Sequence, residues 1–392
     1  MVEIALDINK NNKVIESKDL TQIEHAFNKL LYIPEDILKP RIIEEIIKYL
    51  NTNLREETYP LKIFITQKSN EITGIVIAQI HPDYRSYGRK CGSFGWLSCL
   101  DIDSCEVLMN SCEKFMKENK IRRLRGPINY PKLVGGIGYQ IDGFERCMLT
   151  GVSYNNTNLR EVAFLKQLGY KLESHYWSVE VLSDYWKKGR TIPKRLLVKF
   201  PTINELKSFK SEILKLANSS FNAIMADATG GSERLDEMIS LFEQTQKLYN
   251  HNIDKINEIV ISKLSNNSAF LKLLQNQDFS KNLPWVTLIF TKETHILVGA
   301  GFLLPNIFQH WKEEDITEAN GDTVMIHPEF VGKGIFSLGQ NIGRVALKLV
   351  GINYIEGTQL WANNEHAVEV MFPHCKPVRK HVVLQKDNFF KN

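Results

Sequence analysis

The stretch Val324-Met325-Ile326-His327-Pro328-Glu329-Phe330-Val331-Gly332-Lys333-Gly334-Ile335 runs from an apolar strand through a glycine-rich turn into a helix. The first N–H groups of a helix have no partner within it and carry the positive end of the helix dipole, so such a turn is a trap for anions. Gly332 and Gly334 let a phosphate approach without a Cβ in the way, and Lys333 adds positive charge at the rim. Glycine also serves ordinary strand-to-helix turns. The surrounding chain has to decide between the two readings.

Upstream of the turn, apolar spacing predicts helices within Glu205–Asn218, Glu233–Tyr249 and Ile256–Leu274, then strands at Trp285–Thr291 and Ile296–Leu304. Downstream, Gly334–Val350 reads as a helix, Tyr354–Ala362 as a strand, Asn364–Phe372 as a short helix and Val378–Gln385 as a closing strand. The first half has the same order. Helices within Leu20–Leu50 are separated by Pro34 and Pro40, strands follow at Leu61–Thr66, Ile72–Ile80 and Gly92–Leu100, and a helix spans Asp103–Asn119. A strand at Arg122–Gly126, a Gly/Pro-rich loop at Pro127–Gly151, a helix at Asn158–Leu168 and a strand at Tyr176–Val181 complete it. So long a loop marks a site. Residue identity between the halves is low, and the repeat rests on element order alone. The predicted fold class is α/β (α+β): two tandem domains, each a mainly antiparallel mixed sheet flanked by helices, at residues 1–185 and 205–392, with a linker at 186–204. Lysine, arginine, glycine and two prolines gather within Ser183–Pro201, as in a linker.

The quoted turn resembles the coenzyme A loop of the GNAT acetyltransferase superfamily, in which Pro-Glu-aromatic precedes a Gly-x-Gly turn opening a helix. Asn363-Asn364-Glu365-His366-Ala367-Val368 resembles that family's Asn-x-x-Ala helix start, and the resemblance covers Val286–Lys386. Gly92-Ser93-Phe94-Gly95-Trp96, Arg125-Gly126-Pro127-Ile128-Asn129 and Leu168-Gly169-Tyr170 make the first half similar to a divergent copy. The resemblance implies acetyl-coenzyme A or another acyl-coenzyme A as co-substrate and a small-molecule or peptide amine as acceptor. It sets the pyrophosphate at Gly332, Lys333, Gly334 and Ile335, with Asn364 nearby. The acyl-pantetheine arm falls between the strand ending at Ile326, whose backbone holds it, and the strand Tyr354–Ala362. In the first half, Leu100-Asp101-Ile102-Asp103 stands at the loop position, where two carboxylates repel a pyrophosphate and cap the next helix instead. Val331 replaces the usual Arg or Gln and Phe336 the usual Gly or Ala; Met371 falls near the tyrosine that often protonates the departing thiolate.

Acyl transfer to an amine needs a neutral amine and a stabilised leaving thiolate. Glu356, mid-strand, takes the amine proton if it faces the cleft, and His327 is the other nearby titratable group. Each has a plainer reading, Glu356 as a solvent-facing strand residue and His327 as part of a turn before proline. The Pro127–Gly151 loop is the candidate acceptor-side wall. A net charge of +4 is too mild to imply a partner, and the basic runs at Lys120 with Arg122–Arg125 and at Lys187–Arg195 read first as solvated faces, which puts nucleic acid last. Met1–Lys10 lacks the pattern of a secretion signal and no apolar run reaches a membrane span. Six cysteines without paired metal-ligand spacing read as reduced thiols in a cytoplasmic protein, with no metal. Two function classes stay open: an acyl-coenzyme A-dependent N-acyltransferase using the C-terminal domain, and a non-catalytic ligand-binding or interaction protein on a degenerate tandem fold.

Overall fold

The computed structural model describes residues 12–82, 84–86, 88–182, 192–220, 231–248, 272–274, 276–371 and 374–389. The start Met1–Lys10, most of the helix expected at Ile256–Leu274 and most of the basic run Lys187–Arg195 lie outside them. The first half contains β1 (Asn12–Glu16), α1 (Leu20–Leu30), α2 (Lys39–Glu56), β2 (Leu61–Lys68), β3 (Glu71–Gln79), β4 (Gly92–Cys99), α3 (Ile102–Glu118), β5 (Arg123–Gly126), α4 (Arg160–Gln167) and β6 (Lys171–Val181). The second contains β7 (Leu196–Lys199), α5 (Ile203–Ser208), α6 (Lys210–Ser220), α7 (Gly231–Thr245), β8 (Val286–Thr291), β9 (Leu297–Pro305), α8 (Ile307–Trp311) and β10 (Glu318–Ile326). It ends with α9 (Ile335–Leu349), β11 (Tyr354–Trp361), α10 (Glu365–Met371) and β12 (Cys375–Asp387).

Local chemistry places the helices. The Asp19 carboxylate accepts from the N–H groups of Thr21 and Gln22 and so starts α1, which buries Ile23, Ala26 and Phe27 on one face. In α9, Ile335, Leu338, Ile342, Val345 and Leu349 recur at three and four and are all buried. Each such side chain removed from water contributes about 1.5–3 kcal/mol, before the entropy of ordering it.

The strands form one sheet in the order β1-β2-β3-β4-β5-β12-β6-β11-β10-β9-β8-β7, with a short strand at Tyr139–Asp142 paired to β12. This corrects the expectation of a separate sheet in each half. The closing strand β12 inserts between β5 and β6, both from the first half, with Leu384 opposite Gly126 and Tyr176 opposite His381. In turn β6 pairs with β11 of the second half, Tyr176 opposite Trp361. The physical cause is burial on both faces: Val382, Val383 and Leu384 are buried, a fit that needs neighbours on either side. The linker range is also corrected, because β7 lies inside it and pairs with β8. The largest apolar cluster runs from Ile23 and Phe27 on α1 through Phe242 on α7 to Leu347 on α9, so the halves share a core.

All strand pairs are antiparallel except two, β4 with β5 and β10 with β11. These parallel pairs occupy matching places in the two halves. They are short, and what lies beyond their paired residues differs.

Candidate functional site

Strands β10 and β11 pair from Glu318–Gly321 to Tyr354–Gly357 and then part. A cavity of about 570 Å³ opens between them, walled by Gly321 to Ile326, Gly357 to Trp361, α9 and the start of α10. The His327 N–H donates to the Val298 carbonyl at 3.0 Å, so by the alternation of an antiparallel ladder Ile326 and Val324 turn their N–H and C=O groups away from β9 and into the opening. The Ile326 carbonyl already accepts from Ser220 Oγ at 2.8 Å.

At the end of β10, Pro328–Phe330 make one tight helical turn, and Gly332 and Gly334 follow at φ 75° and 82°. That left-handed conformation is cheap only for glycine. A Cβ on Gly332 would meet nothing within 4 Å, so the glycine there serves the backbone and leaves open space beside it. Helix α9 starts at Gly334 with no side-chain cap. Lys333 is exposed and its Nζ lies 4.9 Å from the centre of the Phe330 ring. Ile335 is buried and lines the cavity. Asn364 lines it too, while its Oδ1 accepts from the Ala367 N–H at 3.2 Å at the start of α10.

Two expected catalytic residues are elsewhere. Glu356 does not face the cleft: its side chain and that of Arg379 are each 0% exposed, with Arg379 Nε donating to Oε2 at 2.8 Å and Nη2 to Oε1 at 2.9 Å. The Tyr354 hydroxyl donates to the same carboxylate at 2.7 Å, so both of its oxygens are held by buried donors. Burial and Glu356 push the Tyr354 hydroxyl far above its usual range. His327 is a turn residue, its Nδ1 accepting weakly from the Glu329 N–H at 3.4 Å and its ring edge-on to Phe330. Phe336 and Met371 both line the cavity.

Sequence reasoning missed Asp322 and Arg344, which line the cleft, and Arg234, which pairs with Asp322. Asp322 lines the cleft where the strands part; its Oδ1 is paired with Arg234 of α7 and its Oδ2 accepts from the Thr323 hydroxyl at 2.7 Å. Arg344 on α9 lines it as well, and burial pushes its guanidinium down to about 10. A carboxylate next to Gly321, where the polar start of the strand gives way to the apolar Val324-Met325-Ile326, was the available signal for Asp322.

The first half lines the cleft through Tyr176 and Val181 of β6, and its loop is bonded to the strands beside it. Asn320 Nδ2 donates to the Thr150 carbonyl at 2.7 Å and accepts on Oδ1 from the Thr358 hydroxyl at 2.7 Å, and Gln359 Nε2 donates to the Gly151 carbonyl at 3.1 Å. Asn306 Nδ2 donates to the Met148 carbonyl at 2.8 Å and Arg379 Nη2 to that of Cys147 at 2.6 Å. The end of the Pro127–Gly151 loop is thus fixed against β10, β11 and β12. Of the basic run before that loop, Arg123 pairs with Asp387 and Arg125 is buried against Gln385 and Ser174.

The matching place in the first half is filled by its own chain. Beyond the β4–β5 pair, Asn129 Oδ1 accepts from the Trp96 N–H at 2.7 Å and the Tyr130 carbonyl from the Trp96 indole at 2.6 Å. A Cβ on Gly95 would stand 2.2 Å from the Ile128 carbonyl oxygen. The helix start is closed too, since Asp101 accepts from the Ser104 N–H at 2.8 Å.

No family model matches the chain, and no curated protein matches it. Solved structures do. A GCN5-related glucosamine N-acetyltransferase region of a fungal multi-domain GH3 β-N-acetylglucosaminidase aligns over 97% of this chain with a TM-score of 0.54 and 12% identity. A tandem GNAT protein from the clavulanic acid biosynthesis pathway aligns over 96% of this chain and 98% of its own, with a TM-score of 0.50 and 8% identity. The fold is the tandem GNAT fold. An Enterococcus faecalis protein described as a probable N-acyltransferase shares it over 97% of this chain and 73% of its own, with a TM-score of 0.54 and 8% identity. The chain spans 38% of the length of the fungal protein, and identities this low speak for the GNAT fold alone. Among the described residues no helix is long and apolar enough to cross a membrane, and no group of three or more His, Cys, Asp or Glu is set to hold a metal ion.

Proposed function

We propose that this chain is an acyl-coenzyme A-dependent N-acyltransferase whose donor site is the β10–β11 cleft, with acetyl-coenzyme A as the simplest donor. One observation carries this reading: an open strand splay leads to a glycine-flanked helix start that no side chain caps. The amides around Gly332, Gly334 and Ile335 suit a pyrophosphate, Lys333 adds charge, and the inward-turned groups of Val324 and Ile326 suit the amides of a pantetheine arm. Asn364 and the start of α10 wall the same channel. Coenzyme A supplies the activated thioester. The chain positions it, and Asp322 is the carboxylate proposed to take the amine proton, directly or through water, in place of Glu356 and His327. An amine acceptor, small molecule or peptide, enters on the side of the Cys147–Gly151 segment, which is bonded to β10 and β11; the glucosamine N-acetyltransferase region among the structural neighbours supports that class.

Phe336 inside the cavity and Met371 in place of a proton donor favour a second reading, a binding protein that holds coenzyme A without turning it over. Melting temperature with coenzyme A, acetyl-coenzyme A and longer acyl thioesters, followed by thiol release over a panel of amines, separates the two. A ligand at a hundred times its Kd stabilises the native state by about 2.7 kcal/mol. The proposal expects a raised melting temperature and amine-dependent thiol release, reduced roughly 10²- to 10⁴-fold in Asp322→Asn with coenzyme A affinity kept. Binding without release establishes the second reading, and no shift with any thioester overturns both.

A further inference from the structure

A second cavity, of about 640 Å³, lies between α2 of the first half and α7 of the second. Its lining carries Glu45, Glu56, Glu233, Asp236 and Glu237, with Lys48 as the one lysine or arginine among the described residues that line it. The outer carboxylates have lysine partners, Asp236 with Lys210 at 2.6 Å and Glu45 with Lys48 at 3.8 Å. The deeper ones are held differently. Glu233 Oε2 lies 3.2 Å from His81 Nε2, and Glu237 Oε2 accepts from Arg234 Nη1 at 3.0 Å. Glu237 Oε1 is fully buried and has no hydrogen-bond partner. Burial, together with the neighbouring Glu233 charge, raises the Glu237 carboxyl above its ordinary pKa against the lowering by Arg234 and Lys132. An anionic oxygen in that position lacks a donor.

Aromatic side chains form another part of the wall. Tyr49, Tyr59 and Trp311 line the cavity, and the Tyr49 and Tyr59 hydroxyls bond to each other. Tyr49 stacks on Tyr130 with ring centres 6.0 Å apart, and His81 stacks on the same ring at 6.1 Å. Packing therefore fixes the positions of Tyr49 and His81 in the ligand-free chain. Carboxylates behind aromatic faces suit an organic cation, which gains from both ring quadrupole and charge. The spacing of the acids does not suit a bare metal ion, for which no group of three or more donors exists among the described residues.

We propose that this cavity binds a small organic cation, an alkylammonium or polyamine, with its ammonium group against the Glu233 and Glu237 carboxylates and its carbon chain against Tyr49, Tyr59 and Trp311. The site uses both halves and does not depend on what the β10–β11 cleft holds. Calorimetry on the full chain with putrescine, spermidine and choline, and with the neutral 1,4-butanediol, tests it. At least one cation binds, weakening as salt rises, and the diol does not. Glu237→Gln, which keeps size and leaves a neutral group, weakens the binding about tenfold or more, and Trp311→Leu weakens it about three- to tenfold. Circular dichroism and melting temperature show that both variants fold; if Glu237→Gln does not, Glu233→Gln replaces it with the same expectation. No binding by any of the three cations, equal binding of the diol, or parental affinity in folded variants overturns the proposal.

Discussion

The turn after β4 and the turn after β10 occupy the same place in the two halves, yet the first is closed and the second open. After β4, Asp101 caps α3 and the Ile128–Tyr130 segment lies in the splay. After β10, Gly332 and Gly334 lead into an uncapped helix and the splay holds a cavity. A repeated fold thus keeps its frame in both copies while a few residues decide which copy leaves its splay open. The first half supports the second: its loop is bonded to Asn320 and Gln359 of β10 and β11, and its β6 is the second half's neighbouring strand and lines the cleft through Tyr176 and Val181.

The largest expected effect tests the join between the halves. Arg379 on the inserted strand β12 is the cation for Glu356 on β11, and neither is exposed. Arg379→Leu leaves a buried carboxylate without its partner and should cost about 3–5 kcal/mol in urea unfolding. A loss under about 1 kcal/mol would show that this pair does not hold the inserted strand in place.

A smaller effect sharpens the contrast between filled and open splay. Gly95→Ala drives a methyl into the Ile128 carbonyl, whereas Gly301→Ala, at β9 beside the cleft, meets nothing within 4 Å. The first should cost about 1–3 kcal/mol and the second stay within about 0.5 kcal/mol. Equal costs would mean that the two splays are packed alike. Smallest is the cap: Asp101→Ala should cost about 1 kcal/mol and Asp101→Gly a few tenths, measured the same way. No loss in Asp101→Ala would remove the cap as the reason that the first turn is closed.

Periodicity made most helices and strands readable, and the Gly332–Gly334 turn and the Pro127–Gly151 loop could be named from sequence because glycine and proline mark backbone geometry directly. Partners distant in sequence could not be read. The start of β10 looked too polar for a strand because Asn320 and Asp322 are satisfied by the Thr150 carbonyl and by Arg234. Glu356 passed for a cleft base because nothing local shows that Arg379 covers it. The alternation of β12 announced a strand but not its neighbours, since either half offers an apolar place for Val382 and Leu384. The strands β1 and β7 are too short to show a period.

The central claim is that the open turn after β10 holds an anionic coenzyme, and calorimetry with coenzyme A on the parent, Gly334→Val and Lys333→Glu tests it most directly. Valine at φ 82° strains the turn and puts a branched side chain where the phosphates approach, while glutamate reverses the rim charge. Both variants are first shown to fold by circular dichroism and melting temperature. The account predicts that the parent binds coenzyme A, that Gly334→Val abolishes binding and that Lys333→Glu weakens it; parental affinity in both folded variants would contradict it.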